Sequence, residues 1–362
     1  MTFRVGIAGV GWGTVVHLPA FRAAAGFEVV GLCARTAAKL ERLQEEHAIP
    51  SVSTDWEEFV RRDDLDVISV AAPVTLHHPI TLAALEAGKH VICEKPLALT
   101  TDQCHEMVDA AAKSGLATAT CFELRWLPDR SRVRQLVHDN TVGNPYFVRL
   151  SQSGSYWHPT RKPQELWMYD IEQGGGYLNG LLAHDIDFVC ALFGRPVEVC
   201  ADVRTSVPTR PLPDGGELQV TADDTSALLL RLDSGALAVI SASVVGIHTS
   251  GARFEAFGER GSIVGSLGGR QQGELMSGTV DDERLGNVGP DDRVPAHDDF
   301  IPDRGASALI RAMAVLLEDW APQIDGGAPV TPIPTFADGL VVQQVIEAAR
   351  ASASGAGWVQ IE

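Results

Sequence analysis

Two clusters of side chains in this chain have the types and spacing for acid–base chemistry on a small molecule. The first is Glu94-Lys95-Pro96, which ends the run Lys89-His90-Val91-Ile92-Cys93. An ammonium is strongly hydrated, so an apolar run that delivers one to its end suggests a task for it. The run reads as a buried strand presenting a carboxylate and an ammonium at its carboxyl end, the edge where open α/β sheets bind ligands. A surface ion pair beside a turn proline is the plainer alternative. The second cluster follows Gly174-Gly175-Gly176, which is expected to open a helix running to about Leu192. On that helix Asn179, His184 and Asp187 share a broad sector, with His184 and Asp187 one turn apart. Gly180, four residues before His184, would leave space beside the imidazole. Histidine is suited to exchange a proton near neutral pH, although a satisfied core histidine is the competing reading. In the catalytic reading, the Lys95 ammonium hydrogen-bonds the reacting oxygen and His184 moves the proton.

The elements that must hold these groups begin with the apolar run Phe3–Val10, short enough for a buried strand. It leads into Gly9-Val10-Gly11-Trp12-Gly13-Thr14, a tight glycine turn whose backbone can approach a pyrophosphate at a helix start. The third glycine of the usual spacing would fall at Thr14; Gly13 stands one residue early. A second strand, Glu28–Cys33, should end beside the adenosine ribose. A carboxylate there binds a free 2′-hydroxyl, whereas an arginine accommodates a 2′-phosphate. The chain has Ala34-Arg35-Thr36, with Lys39 one turn on and no acid, which favours NADP while leaving NAD possible. A solvated arginine at a helix start is the bland reading of Arg35.

Up to about residue 120, strands (3–9, 28–33, 66–72, 89–93, 116–121) alternate with helices (14–25, 36–47, 55–61, 77–87, 102–113), which implies a parallel sheet covered on both faces. Beyond residue 122 a helix at 128–139 precedes strands at 146–150, 197–205, 225–232, 235–245 and 252–258. Consecutive strands without intervening helices suggest an open, mainly antiparallel sheet in a second, α+β domain. Residues 268–300 read as a long Gly-, Asp- and Pro-rich excursion, followed by helices at 306–320 and 336–352. The net charge of −18 argues against nucleic acid and anionic membranes as partners. No apolar run reaches the roughly 20 residues that span a bilayer, and the chain opens on a core strand rather than a signal peptide. The six scattered cysteines lack zinc-like spacing, so no metal site is expected and a reduced, cytoplasmic protein is.

The chain resembles, over nearly its full length, the glucose-fructose oxidoreductase, inositol dehydrogenase and rhizopine-catabolism group, the Gfo/Idh/MocA oxidoreductases. The resemblance rests on Gly9–Gly13, Ala72-Pro73-Val74-Thr75-Leu76-His77, Ala87–Leu97, the triple glycine with His184 and Asp187, and Pro334–Gly339. It implies a Rossmann-type nucleotide-binding domain (1–122), an α+β substrate and oligomerisation domain with a large open sheet (123–330), and a closing linker and helix (331–362). It further implies Lys95 as the catalytic lysine, with Pro96 after a cis peptide bond, and His184 as the acid/base. Ala72, Pro73, His77 and Glu94 would line the nicotinamide half of the cofactor site. Many members carry an aspartate where this chain has Gly180, so proton transfer would rest on His184 and Lys95, or Asn179 would orient the substrate. Arg125 either holds an acidic or polyol substrate or pairs with a nearby carboxylate.

The function expected is hydride transfer between NADP, or NAD, and a hydroxyl or keto carbon of a sugar, cyclitol or related compound. A homodimer or homotetramer through the second-domain sheet is the expected assembly. Two rivals share the fold. A nucleotide-sensing regulator without turnover would be expected to lose Lys95. An NAD-dependent glycosidase predicts an acid at residue 34 or 35, where this chain has Ala34 and Arg35.

Overall fold

A computed structural model describes residues 2–161, 165–212, 215–268, 274–289 and 307–361. The chain divides into two compact units, residues 1–126 with 298–340 and residues 127–297 with 341–362.

In the first unit, strands β1 (Phe3–Ala8), β2 (Phe27–Cys33), β3 (Ser51–Ser53), β4 (Val67–Val70), β5 (His90–Cys93) and β6 (Thr118–Thr120) form one sheet in the order β3-β2-β1-β4-β5-β6. Every neighbouring pair is parallel. β4 is buried at all four positions, the pattern of a strand covered on both faces. The order reverses direction at β1, and ligands of such sheets bind at the carboxyl edge of that switch point. The helices between the strands are α1 (Leu18–Ala23), α2 (Ala37–His47), α3 (Trp56–Val60), α4 (His77–Glu86) and α5 (Thr101–Ser114). Their ends follow local chemistry: Asp55 caps α3 by accepting from the Glu57 and Glu58 N–H groups, and Gly115 ends α5 at a φ of +66°.

The single helix expected over 14–25 arrives in two pieces, a wide π turn at Gly13–His17 followed by α1. Pro19 lies at the start of α1 and has no N–H to continue the regular ladder.

The domain bounds differ from the expected 123–330 and 331–362. Helix Ser307–Ile324 belongs to the first unit, because its buried Leu316, Leu317 and Trp320 need an apolar partner. Trp320 stacks on Phe27 at 6.5 Å, and Trp126 Nε1 donates to Asp319 Oδ2 at 2.8 Å. The closing segment is shared, since residues up to Leu340 fall in the first unit and the rest in the second.

In the second unit, β7 (Pro145–Ser153), β8 (Pro196–Arg204), β9 (Thr209–Pro211), β10 (Glu217–Gln219), β11 (Thr225–Leu232), β12 (Leu237–Ser243), β13 (Ala252–Gly258), β14 (Gly261–Leu267), β15 (Leu275–Thr279), β16 (Gly286–Val288) and β17 (Val359–Gln360) are the strands. β9 and β10 make a small hairpin; the other nine form one sheet, antiparallel except where β7 meets β12. Part of the expected excursion at 268–300 is therefore sheet, as β15 and β16 joined by a turn over 280–285; residues 269–273 and 290–300 lie outside the described residues. Alternating burial along β11 places Leu228, Leu230 and Leu232 on the inner face and Leu229 on the open one. Helix α6 (Pro128–His138) and helix α7 (Leu182–Phe193) complete this unit, and Phe188 of α7 meets Phe254 of β13 edge-on at 6.1 Å.

Candidate active site

The glycine turn after β1 divides its labour residue by residue. Gly9 has φ +112°, and a Cβ there would lie 2.1 Å from the Ala71 carbonyl oxygen, so the fold itself requires glycine. A Cβ on Gly13 would meet Ile7 Cγ2 at 2.9 Å, so Gly13 brings the first helical turn close to β1, the packing role of the third glycine in the usual spacing. Thr14, at that usual position, donates its hydroxyl to the Val10 carbonyl at 2.9 Å. Gly11 is different: a Cβ there would meet nothing within 4 Å, so no packing in the fold accounts for glycine. Bare backbone facing open space is what close approach by a pyrophosphate needs, and the turn fits a dinucleotide on that ground. Trp12 beside it is exposed.

At the end of β2, Arg35, Thr36 and Lys39 are exposed, with Thr36 just before α2 and Lys39 in its first turn. At the end of β4, Ala72-Pro73 leads through the turn Val74–Leu76 into His77, the first residue of α4. His77 is buried between two carbonyls: Nδ1 lies 2.9 Å from Pro96 O, and Nε2 lies 2.9 Å from Ala72 O. Burial pushes its imidazole below the usual histidine range, and the two carbonyls oppose that only in part. The ring ties the loop after β4 to the loop after β5.

Glu94 and Lys95 follow β5, and the Lys95–Pro96 bond is cis. Glu94 is 8% exposed, and its Oε1 is 2.8 Å from His17 Nε2. Glu94 Oε2 accepts from the Lys95 N–H at 3.1 Å, while His17 Nδ1 lies 2.7 Å from Ser69 Oγ on β4. Burial pushes the Glu94 carboxyl upward, but the His17 hydrogen bond and the charges of His17 and Lys95 outweigh it, leaving it below the usual carboxylate range. An ionised carboxylate only accepts, so His17 Nε2 carries the hydrogen shared with Glu94.

His17 also lies with Glu94 and Cys121 in a group whose ligand-type atoms are all within 4.8 Å of one another. Cysteine spacing alone gave no sign of this group. Its nitrogen is already engaged by Glu94, and burial pushes the Cys121 thiol well above its usual range.

After β6 the turn Glu123–Trp126 carries Arg125, buried and paired through Nη2 with Asp338 Oδ1 at 3.1 Å. Asp338 Oδ2 accepts from the N–H of Thr335 at 2.7 Å and from its hydroxyl at 2.6 Å. Of the two readings of Arg125, the carboxylate partner is present.

In the second unit, the triple glycine does not open the helix. Gly174 and Gly176 have φ of +78° and +106°, and a Cβ on Gly175 would lie 2.6 Å from the carbonyls of Asp170, Met168 and Trp167. The segment is a compact turn, and α7 begins only at Leu182, so Asn179 precedes the helix that carries His184 and Asp187. Both Asn179 amide contacts go to its own turn, to Gly174 O at 3.0 Å and Gly175 O at 3.2 Å. Its Oδ1 accepts from Arg350 Nη2 at 2.9 Å. The Asn179 amide, one of the two alternatives for orienting the substrate, is thus engaged in holding the turn.

His184 and Asp187 are buried in the first turns of α7. The adjoining Asp185 pairs with Arg130 Nη2 at 2.5 Å and accepts from Gln152 Nε2 at 3.2 Å. A Cβ on Gly180 would meet the Gly176 carbonyl oxygen at 3.1 Å, so the turn is tight there.

Sequence reasoning missed His17, Ser69 and Arg350, and met Asp338 only as part of the segment Pro334–Gly339. His17 stands in an apolar helical stretch, and its partner Glu94 is 77 residues away, a separation that no local spacing reveals.

Comparison with known proteins agrees with this geometry. Residues 3–121 match an oxidoreductase family with an NAD-binding Rossmann fold, and residues 131–264 match the GFO/IDH/MocA C-terminal domain. An uncharacterized oxidoreductase from Synechocystis sp. is 26% identical over 99% of this chain and 95% of its own length. Levoglucosan dehydrogenase from Pseudarthrobacter phenanthrenivorans is 28% identical over 85% of this chain and 83% of its own. A solved structure of levoglucosan dehydrogenase with NADH and levoglucosan superposes with a TM-score of 0.85 at 25% identity, covering 100% of both chains. Two domains that match in order, a glycine turn shaped for a dinucleotide and Glu94-Lys95-Pro96 at the sheet's carboxyl edge place this chain in the Gfo/Idh/MocA family of NAD-binding oxidoreductases.

Proposed function

We propose that the protein is an NAD(P)-dependent dehydrogenase or reductase acting on a hydroxyl or keto carbon of a sugar, cyclitol or related small molecule, with NADP the favoured cofactor. The observation that carries the reading is the gathering at one sheet edge of the open-backed Gly11 turn and the Glu94-Lys95 pair. Nicotinamide, when bound, supplies the hydride acceptor or donor. The chain supplies the rest. Gly9, Gly11, Trp12 and Gly13 hold the pyrophosphate side, and Ala72, Pro73, His77 and Glu94 line the nicotinamide side. The Lys95 ammonium hydrogen-bonds the reacting oxygen. His184 takes the hydroxyl proton on oxidation and returns it on reduction.

NADP is favoured because Arg35, Thr36 and Lys39 form an exposed, acid-free group after β2, suited to a 2′-phosphate. The levoglucosan dehydrogenase structures with NADH favour NAD as the second reading.

Assembly as a homodimer or homotetramer is supported by the open face of the nine-stranded sheet. There Leu237 pairs with Phe147, and Phe147 with Phe257, in one apolar row.

Fluorescence titration with NADPH and NADH, on the wild type and on Arg35→Ala, tests the cofactor reading. Tighter NADPH binding that falls about tenfold or more in Arg35→Ala, with NADH held within a few-fold, is the expected result. Equal losses for both nucleotides refute the phosphate contact.

A further inference from the structure

We propose that His17 is a positioning residue for the reaction, acting through Glu94 to fix the segment that carries Lys95. The inference rests on the reading of Lys95 as the catalytic lysine and adds a residue from the first helical turn to it. His17 is 0% exposed, and both of its ring nitrogens are engaged, by Ser69 Oγ at 2.7 Å and by Glu94 Oε1 at 2.8 Å. The second carboxylate oxygen is bound to the Lys95 N–H at 3.1 Å. One line of contacts thus runs from β4 through Ser69, His17 and Glu94 to the Lys95 main chain.

A carboxylate buried this deeply is stable in its charged form only while its oxygens keep their donors. His17 supplies one donor and the Lys95 backbone the other. The Glu94 charge and the placement of Lys95 therefore depend on the imidazole. Glycine at position 13 brings this helical turn close to β1, because a Cβ there would lie 2.9 Å from Ile7. Ser69 and Glu94 bind the His17 ring with the Cys121 thiol beside them, and Lys95, His77 and Cys93 also face Glu94.

The test compares His17→Leu, His17→Gln, Glu94→Gln and the double variant His17→Leu/Glu94→Gln. His17→Leu should lower kcat about 10- to 100-fold, the loss that comes with displacing a reacting group by about an ångström, and should move the acid limb of the kcat profile to higher pH. His17→Gln, which restores an N–H donor towards Glu94, should recover most of both. In the double variant the loss should equal that of Glu94→Gln alone, because His17 acts through that carboxylate.

A readout independent of activity is the carbon NMR titration of Glu94 in the nucleotide-free protein labelled at glutamate, assigned by the signal missing in Glu94→Gln. Its midpoint should rise in His17→Leu and return in His17→Gln. If His17→Leu does not fold, Ser69→Ala keeps the ring, removes the hydroxyl that orients it, and should raise the same midpoint by less. Additive losses in the double variant with an unmoved Glu94 midpoint would mean that His17 is merely a packing residue, and the proposal falls. Absence of turnover in the wild type, with the midpoint still governed by His17, would instead overturn the functional reading and leave the His17–Glu94 link standing.

Discussion

Glu94 and Lys95 owe their placement to partners in other segments, and His77 makes the clearest case that one ring can join two loops. It touches Ala72 O on one side and Pro96 O on the other, both at 2.9 Å. Burial lowers its proton affinity in the folded state below the ordinary value of 6.5, so the unfolded chain protonates first as pH falls. The stability this difference supplies is fully present above pH 6.5 and is lost as pH falls through 6.5 towards the folded value. Urea unfolding at about pH 7.5 and about pH 5.5 should therefore show a steeper loss in the wild type than in His77→Gln. Equal slopes would show that His77 titrates alike in both states. Residue chemistry of this kind was only half legible. Glu94-Lys95-Pro96 stood out because two charges ended an apolar run, whereas nothing local marks His17, or marks Asp338 as a partner of Arg125. Their partners, Glu94 and Arg125, lie 77 and 213 positions away along the chain.

Among the elements, the glycine turn makes the sharpest separation between fold and function. Gly9→Ala places a Cβ 2.1 Å from the Ala71 carbonyl oxygen on a backbone with φ +112°, so it should cost about 3 kcal/mol or more of stability. Gly11→Ala meets nothing within 4 Å. Its melting temperature should stay within about 2 °C of the wild type while dinucleotide affinity falls about tenfold or more. A Gly11→Ala protein that binds dinucleotide as tightly as the wild type would remove the argument for this turn as the pyrophosphate site. Reading apolar-rich runs between turn residues gave β11 and β13 to their ends, 225–232 and 252–258, although along β11 burial alternates where residue type does not. It failed for α7, where the turn at Gly174–Gly176 is fixed by carbonyls from Trp167 to Asp170 rather than by helical bonds. It failed also for β15 and β16, whose Gly- and Ser-containing segments show little apolar alternation.

For the whole molecule, the two-domain plan followed from the change of grammar after residue 122, but the units do not follow chain order. Helix Ser307–Ile324 returns to the first unit because Trp320 finds Phe27 there, and an amphipathic pattern alone does not say which apolar surface it will cover. Among the described residues no helix is long and apolar enough to cross a membrane. The open sheet face around Leu237, Phe147 and Phe257 is the surface proposed above for self-association. Leu237→Glu puts an unpaired charge into that row. It should shift the mass measured by light scattering from a dimer or tetramer towards a monomer. An unchanged mass would place the contact elsewhere. The central claim is hydride transfer that depends on Lys95. It is tested most directly by following nicotinamide absorbance with wild type and Lys95→Ala, using NADP and NAD against a panel of sugars, polyols and their ketones. The account predicts turnover in the wild type that falls by about 10²-fold or more in Lys95→Ala, with nucleotide affinity held within a few-fold. Turnover undiminished in Lys95→Ala would contradict it, as would a wild type that binds nucleotide and turns over nothing in either direction.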